Sequence, residues 1–269
     1  MDTDILYTHD GTMVPYARSK KKPTFNETND SISWAAWSWN PVTGCLHGCP
    51  YCYARQLATV GRVAAVYPAG FTPLFRTDRL HAPANTKFPD DVATDPRRGR
   101  VFVCSMGDLF GAWVPNAWIY AVYDAMERSP EWEYLTLTKN PERYWTQGVP
   151  PRLWAGATID CQARVHATEK AMKNVPAAVR WLSLEPLLEP LTFSDLSWCD
   201  LMVIGGRSAT QQPDGPVPEF IPPREWVDDL VAQARAAGIP VYMKPNVVGR
   251  DSDMTLVQEN PRRRERPDA

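Results

Sequence analysis

Three closely spaced cysteines have the residue type and spacing of a metal centre. Cys45, Cys49 and Cys52 follow the pattern Cys-x3-Cys-x2-Cys. Thiolates spaced in this way in a tight loop converge on one face of a cluster, where each sulfur reaches a different iron. A [4Fe–4S] cluster ordinarily takes four cysteines. Three local cysteines with no evident fourth therefore predict a cluster with one iron open to another ligand.

The alternative for this segment is a structural zinc ion with His47 as its fourth ligand. Structural zinc sites usually draw on two separated pairs of ligands. Here all four candidate ligands fall between Cys45 and Cys52, which is cramped for a tetrahedron. The crowding favours the cluster over zinc.

A second set of candidate residues follows the short apolar runs further along the chain. Ionisable residues come directly after these runs and include Lys139, Asp160, Glu185 and Lys244. Because β/α barrels assemble their active sites at the carboxyl ends of the strands, this array predicts a shared cavity with these four as catalytic residues. A buried Glu185 needs a partner, and Lys139, Lys244 or Arg207 would supply it in such a network. The alternative is a lattice of salt bridges that only holds the barrel together.

The apolar runs themselves indicate buried parallel strands, since each is short and bounded by turn residues. They are Val101–Cys104, Tyr134–Thr138, Leu153–Ile159, Arg180–Leu184, Leu201–Ile204 and Val241–Met243. Helical spacing appears between them at residues 119–126 and 226–234, and more weakly from Gln162 to Lys173. Alternating strands and helices predict an α/β fold, a partial (β/α)6-type TIM barrel with parallel strands.

Composition and charge narrow the class of protein. The 269 residues are 44% hydrophobic and 22% charged with a net charge of −2, which excludes wholesale disorder and a histone-like polycation. We expect an irregular arm over residues 1–30, one barrel domain over 31–249 and a polar basic tail over 250–269. The first residues lack an apolar segment and no run of 18 apolar residues occurs, so we expect a cytoplasmic protein with reduced cysteines and no membrane contact.

The motifs together carry a resemblance to known families. The cysteine pattern, with Tyr51 before the third cysteine, resembles the radical SAM superfamily, and Cys49-Pro50-Tyr51-Cys52-Tyr53 is also similar to spore photoproduct lyase. With the segments at 39–45, 105–110, 137–143, 183–187 and 204–206, the chain is similar to the uncharacterised phage-associated radical-SAM-like proteins named for phage gene products thirty-seven and sixty-eight. The resemblance runs from about residue 34 to 244. It departs at Arg207, where that family usually has glutamate.

The resemblance implies a cofactor set and a reaction. A [4Fe–4S] cluster held by the three cysteines would bind S-adenosylmethionine and, after accepting an electron, cleave it to a 5′-deoxyadenosyl radical that abstracts hydrogen from a substrate. Tyr51 would lie beside the adenine, and Asp108 would accept hydrogen bonds from the ammonium group of the methionine moiety. The alternative role of Asp108 is to cap a helix or turn. The full set of expected cofactor-binding residues is Tyr51, Ser105, Met106, Gly107, Asp108, Gly205 and Gly206.

The resemblance also indicates partners. It implies an external electron donor of flavodoxin or ferredoxin type and favours a nucleic acid or nucleotide as substrate, with a peptide or small metabolite as the alternative. Basic runs at residues 20–22, 97–100 and 262–266 suit phosphate contact, although solvated charge explains them as well. Of the other cysteines, Cys104, Cys161 and Cys199, only Cys161 follows a predicted strand end and has a conceivable radical role. The competing hypothesis is a non-catalytic binding module pinned by a cluster or zinc.

Overall fold

The structure is a computed structural model, and it describes residues 3–17, 21–28, 32, 34–146, 149–248 and 254–262. The chain divides into two compact units. Unit 1 comprises Met1–Thr136, Pro150–Leu153 and Gln212–Asp214, and unit 2 comprises Leu137–Val149, Trp154–Gln211 and Gly215–Ala269.

The described chain is built from short strands and helices, with five strands before the first helix. The strands are β1 (Thr3–Thr8), β2 (Met13–Ala17), β3 (Asn26–Glu27), β4 (Trp37–Trp39), β5 (Val42–Thr43), β6 (Leu74–Phe75), β7 (Arg100–Val103), β8 (Glu133–Thr138), β9 (Leu153–Thr158), β10 (Val179–Leu184), β11 (Leu201–Ile204), β12 (Thr210–Gln212), β13 (Gly215–Val217) and β14 (Val241–Met243). The α-helices are α1 (Tyr53–Thr59), α2 (Ala82–Asn85), α3 (Asn116–Glu127), α4 (Val165–Met172) and α5 (Arg224–Ala236). Short 3₁₀ helices occur at Arg62–Val66, Thr77–Arg79, Pro96–Gly99, Pro141–Thr146, Gln162–Arg164 and Pro245–Val247.

Unit 1 begins with an antiparallel hairpin of β1 and β2 rather than the irregular arm expected over residues 1–30. Leu6 is buried while Tyr7 beside it is exposed, which is the alternation of a half-buried strand. Asp10 accepts a hydrogen bond from the backbone of Thr12 and Gly11 adopts a φ of +84°, so a turn joins the strands. β2 contains Pro15, and a proline inside a short run weakens the sequence signal for a strand.

Unit 1 also contains parallel strands whose carboxyl ends lie side by side. β7 pairs in parallel with β4 and with β8, and β3 adds to β4 in antiparallel orientation. The β4–β7 register sets Trp39 opposite Val103, so the residues that follow each strand begin at the same edge. Trp39 is itself fully buried, which anchors this edge in the core.

In unit 2, strands β9, β10, β11 and β14 are neighbours in that order, and each pairing is parallel. β9 and β10 are buried throughout, as expected for strands covered on both faces. Helix α5 buries Val227, Leu230 and Ala234, which lie on one face at helical spacing. The fold is mixed α/β with mostly parallel pairing, and the predicted strands and helices of this region are confirmed.

The described part of the C-terminal tail, residues 254–262, packs on unit 2 although the sequence suggested a solvated segment. The Met243 amide donates to the Val257 carbonyl at 2.6 Å. Glu259 accepts two hydrogen bonds from Arg235, at 2.7 and 2.9 Å. The arginine-rich end at 263–266 lies outside the described residues. No described helix combines the length and the apolar character needed to cross a bilayer.

Candidate cofactor site

The predicted site residues divide between the two units. The three cysteines, Tyr51 and residues 105–108 belong to unit 1. The four predicted catalytic residues and the glycine pair 205–206 belong to unit 2.

The cysteine loop leaves β5 through a tight backbone contact at Gly44. The Gly44 amide donates to the Met106 carbonyl at 2.8 Å, and Gly44 and Gly107 form an isolated parallel bridge. Gly44 has a φ of +84°, and a Cβ built on it would lie 2.4 Å from the Thr72 carbonyl oxygen. Only glycine fits this position, because the loop passes directly against the backbone of residues 71–72. The amide contact with Met106 holds the same point of the loop against the segment that follows β7.

The three cysteines of the loop are each half-buried. Burial raises the pKa of the Cys45 thiol to about 12, and it raises the pKa of the Cys52 thiol as well. Thiolates at Cys49 and Cys52 would each raise the pKa of Cys45 further, so the three groups lie within electrostatic range of one another. Nowhere in the described chain, however, do three His, Cys, Asp or Glu side chains gather as a ready-made site for a single metal ion.

Two polar side chains that the sequence analysis missed fix the backbone of the loop. Arg55 Nη2 donates to the Cys49 carbonyl at 2.6 Å, and Gln212 Nε2 donates to the Cys52 carbonyl at 2.9 Å. Arg55 Nε also donates to Gln212 Oε1 at 3.0 Å, which joins the two into one clamp. Arg55 is therefore part of the support of the cysteine loop and not simply surface of the helix that follows it.

The segment after β7 is held by Asn40, which follows the neighbouring strand β4. Asn40 Oδ1 accepts from the Met106 amide at 2.8 Å and from the Ser105 hydroxyl at 3.2 Å. Cys104, just before it, has a φ of 58°, a left-handed conformation that is uncommon outside glycine. Tyr53 Oη donates to the Ser105 carbonyl at 2.5 Å, so the first helix after the cysteine loop also contacts this segment.

Asp108 is buried, and its carboxylate already has protein partners. Oδ1 accepts from the Phe110 amide at 2.9 Å, which is a local turn cap. Oδ2 lies 2.7 Å from Nε2 of His47, whose ring also packs edge-on against Trp113. Asp108 thus has the capping role considered as the alternative, and it also orients the histidine of the cysteine loop.

In unit 2, Lys139 and Asp160 form an ion pair at the carboxyl ends of β8 and β9. Both side chains are nearly buried. Asp160 Oδ1 accepts a second hydrogen bond from Arg164 Nε at 2.8 Å, one helical turn later. Lys139 thus pairs with Asp160 and not with Glu185, and the shared cavity of all four strand-end residues stays a prediction.

The other pair in unit 2 joins Glu185, after β10, to Lys244, after β14. Strand β11 lies between them in the sheet, and its strand-end residue is Gly205. A Cβ on Gly205 would lie 3.1 Å from both the Glu185 and the Lys244 side chains, so the missing side chain is what lets them meet. Asn246 completes the group: its Oδ1 accepts from the Gly206 amide at 3.2 Å, and its Nδ2 donates to the Gly206 carbonyl at 2.9 Å.

A family model described as "Protein of unknown function (DUF5131)" matches residues 29–266, most of the chain. The chain belongs to this family. No curated protein and no solved structure matches it.

The basic run 97–100 of the DUF5131 chain is already engaged with carboxylates. Arg97 pairs with Asp95 at 2.8 Å and Arg98 with Asp91 at 2.6 Å. Arg100 is buried and lies 3.4 Å from a Glu133 oxygen. These ion pairs support the solvated-charge and structural interpretations over phosphate contact.

The remaining predicted groups of the DUF5131 chain occupy separate environments. Cys104 and Cys199 are buried, and burial raises the pKa of each thiol to about 12. Both side chains therefore stay protonated and pack as small apolar groups. Cys161 is half-buried. Arg207 donates through Nε to the Pro218 carbonyl at 3.0 Å, so the expected pairing of Glu185 is met by Lys244 instead.

A double-mutant cycle tests how much the Glu185–Lys244 pair contributes to stability. Lys244→Met leaves a largely buried carboxylate with Asn246 as a weak partner at 3.4 Å, so we expect a loss of about 1–3 kcal/mol in the free energy of unfolding. Adding Glu185→Gln removes that charge and should recover most of the loss. Urea unfolding of the four proteins measures the coupling. Strictly additive losses would show that the pair has no energetic link.

Proposed function

We propose that this protein is a radical SAM enzyme on a partial (β/α)6-type barrel, with a nucleic acid or nucleotide as its substrate. The observation that carries the proposal is the cysteine loop. Three half-buried thiols within eight residues are held against the segment that follows β7, at the carboxyl edge of parallel strands. The resemblance of the same two segments to radical SAM proteins gives this arrangement its interpretation.

The donor set fits an iron–sulfur cluster better than a single metal ion. The thiols interact electrostatically, yet they are not gathered around one point. In a cluster each thiolate binds a different iron, so the sulfurs need to share one face and not one centre. Thiolate is also the soft ligand that such clusters select.

When bound, the cluster and S-adenosylmethionine would supply a radical able to abstract hydrogen from an unactivated carbon. The chain's own contribution is to hold these groups. Cys45, Cys49 and Cys52 would ligate iron, while Arg55 and Gln212 fix the loop that carries them. Asn40 and Gly44 set the position of residues 105–107, whose backbone groups would contact the cofactor. The electron would come from a flavodoxin- or ferredoxin-like donor.

The charged groups of unit 2 would serve the substrate. Lys139 with Asp160, and Lys244 with Glu185, are compensated pairs placed where parallel strands end. A polar or anionic substrate can replace one member of such a pair as the partner of the other. This costs less free energy than keeping an unpaired charge buried until the substrate binds. This is the basis for keeping the four residues as catalytic candidates.

The direct test uses anaerobically reconstituted protein. Iron, sulfide and zinc are quantified first, then dithionite and S-adenosylmethionine are added and 5′-deoxyadenosine is assayed by chromatography. We expect about four irons per chain and time-dependent formation of 5′-deoxyadenosine. Zinc instead of iron, or a cluster whose spectrum S-adenosylmethionine leaves unchanged, would overturn the proposal.

The contact between His47 and Asp108 favours a second candidate, a binding module with structural zinc. A carboxylate that hydrogen-bonds one ring nitrogen of a histidine is the usual outer partner of a metal-bound histidine. In that case the other ring nitrogen would complete a site with the three cysteines.

Replacing His47 by alanine separates the two candidates. With a cluster held by three cysteines, we expect His47→Ala to retain iron close to the wild-type level, because the histidine only buttresses the loop. With zinc, removing one of four ligands should lower metal affinity by at least about tenfold. Metal content after dialysis against a chelator gives the answer.

A further inference from the structure

A cleft in unit 1 carries an excess of positive charge that neither candidate function uses. It has a volume of about 480 Å³, within the size range of small-molecule sites. Four cationic side chains line it, against one carboxylate, that of Asp78: they are Lys21, Lys22, Arg76 and Arg79. The cleft is therefore suited to an anion.

One of these cations is already neutralised inside the protein. Arg76 is almost fully buried and makes a two-pronged contact with Asp78, at 2.9 and 2.8 Å. Its guanidinium also lies over the Tyr16 ring, 4.3 Å from the ring centre. Arg76 and Asp78 thus form one wall of the cleft with little net charge.

Arg79, unlike Arg76, is not neutralised by a paired carboxylate among the described residues. Its side chain donates to a neutral group, the Asn40 carbonyl, at 3.1 Å, and among the described residues it makes no ion pair with a carboxylate. Burial lowers the pKa of Arg79 and the neighbouring Arg76 guanidinium lowers it further, while the Asp78 carboxylate offsets only part of these two effects. A half-buried guanidinium in this setting still carries its charge. An anion beside it would offset both the cost of burying that charge and its repulsion by Arg76.

We propose that this cleft binds a phosphate ester, with Arg79 as its principal ligand and Lys21 and Lys22 at its exposed side. Guanidinium groups match the geometry of phosphate oxygens with paired hydrogen bonds, and exposed lysines add charge without fixed geometry. Both lysines are exposed and line the cleft, so their charges lie where a ligand would enter from solvent. The phosphate belongs either to a free nucleotide or to a nucleic-acid strand.

Asn40 gives the cleft a structural link to the cysteine loop within unit 1. Its carbonyl accepts from Arg79, and its side chain holds the segment 105–106 against which the loop is packed. The binding itself requires no cluster. The proposal can therefore stand or fail independently of the radical SAM function.

The test is calorimetric titration of the full-length protein without iron, using four probes. They are inorganic phosphate, adenosine, adenosine monophosphate and a single-stranded DNA of about ten nucleotides. We expect saturable binding of the monophosphate stronger than about 1 mM and no binding of adenosine. Tighter, strongly salt-dependent binding of the oligonucleotide would identify nucleic acid as the source of the phosphate, and equal or weaker binding would identify a free nucleotide.

Variants show whether the cleft is the site. Arg79→Gln should weaken binding by at least about tenfold, since a charge-assisted paired contact is lost. Arg128→Gln, an exposed residue of unit 1 outside the cleft, makes the same charge change and should leave binding unchanged. Lys22 is exposed, so Lys22→Gln should not affect folding, and we expect it to weaken binding by about threefold. This second variant tests the cleft even if Arg79→Gln does not fold. Absence of saturable phosphate binding in the wild type, or wild-type affinity in a folded Arg79→Gln protein, would overturn the proposal.

Discussion

Cys49→Ala is expected to abolish 5′-deoxyadenosine formation, reducing it by more than about a hundredfold, to the background of protein-free controls. The lost thiolate leaves one iron without its protein ligand, and a cluster held by only two cysteines dissociates or changes form. The measurement is chromatography of 5′-deoxyadenosine after anaerobic reconstitution and reduction, with iron determined on the same samples. Iron content should fall in parallel with product.

The matched control is Cys161→Ala. Cys161 is half-buried like the loop cysteines and belongs to unit 2, whereas Cys104 and Cys199 are buried and their replacement would disturb packing. We expect this variant to keep wild-type iron content and wild-type cleavage in the absence of substrate. Equal losses in Cys49→Ala and Cys161→Ala would mean that the assay reports general damage. Full activity in Cys49→Ala would remove Cys49 from the ligand set and with it the radical SAM proposal.

The buried strands were predictable because burial on both faces leaves a plain signature. β11 is a continuous apolar run ended by Gly205, and β10 is a buried run that is apolar except at Arg180 and Ser183 and ends before Glu185. The bounds of both strands agree with the predicted bounds within a residue. Helix α5 was equally clear, since its apolar spacing is stopped by Gly238 and Pro240. The two-residue strands β3, β5 and β6 were not predictable, because a strand that short has no periodicity.

The cysteine loop was predictable from residue spacing, but its supports were not. The clamp on the loop joins Arg55 to Gln212, which is 157 residues later in the chain. Asn40 was passed over because a single amide after a short strand has no pattern of its own. Such contacts depend on which strands become neighbours, and spacing along the chain does not encode that.

The strand-end charges show the same division. The four strand-end residues could be identified from the sequence, but which of them pair depends on the order of the strands in the sheet. β8 is followed in chain order by β9, and Lys139 and Asp160 meet as neighbours along the chain would suggest. Glu185 instead pairs with Lys244, because β14 lies beside β11, whose strand-end residue, Gly205, has no side chain to separate them.

Gly44→Ala should have the largest effect on folding among single substitutions in the cysteine loop. Alanine at a φ of +84° costs about 1–2 kcal/mol by itself. Its Cβ would also lie 2.4 Å from the carbonyl oxygen and 2.5 Å from the carbonyl carbon of Thr72, which are backbone atoms that cannot rotate away. Displacing them adds about 1–3 kcal/mol. We expect the free energy of unfolding to fall by roughly 3 kcal/mol or more, measured by urea denaturation with tryptophan fluorescence.

Gly48→Ala is the control that isolates the steric part. Gly48 has a similar left-handed φ of +67°, but the structure places no atom within 4 Å of a Cβ built there. Its substitution therefore carries only the conformational cost, about 1–2 kcal/mol. Because Gly44 is also where the loop meets the Met106 carbonyl, Gly44→Ala should lower iron loading as well as stability, while Gly48→Ala lowers stability alone. If the two variants lost the same stability and the same iron, the close approach of the loop to residues 71–72 and 106 would not be what positions the cysteines.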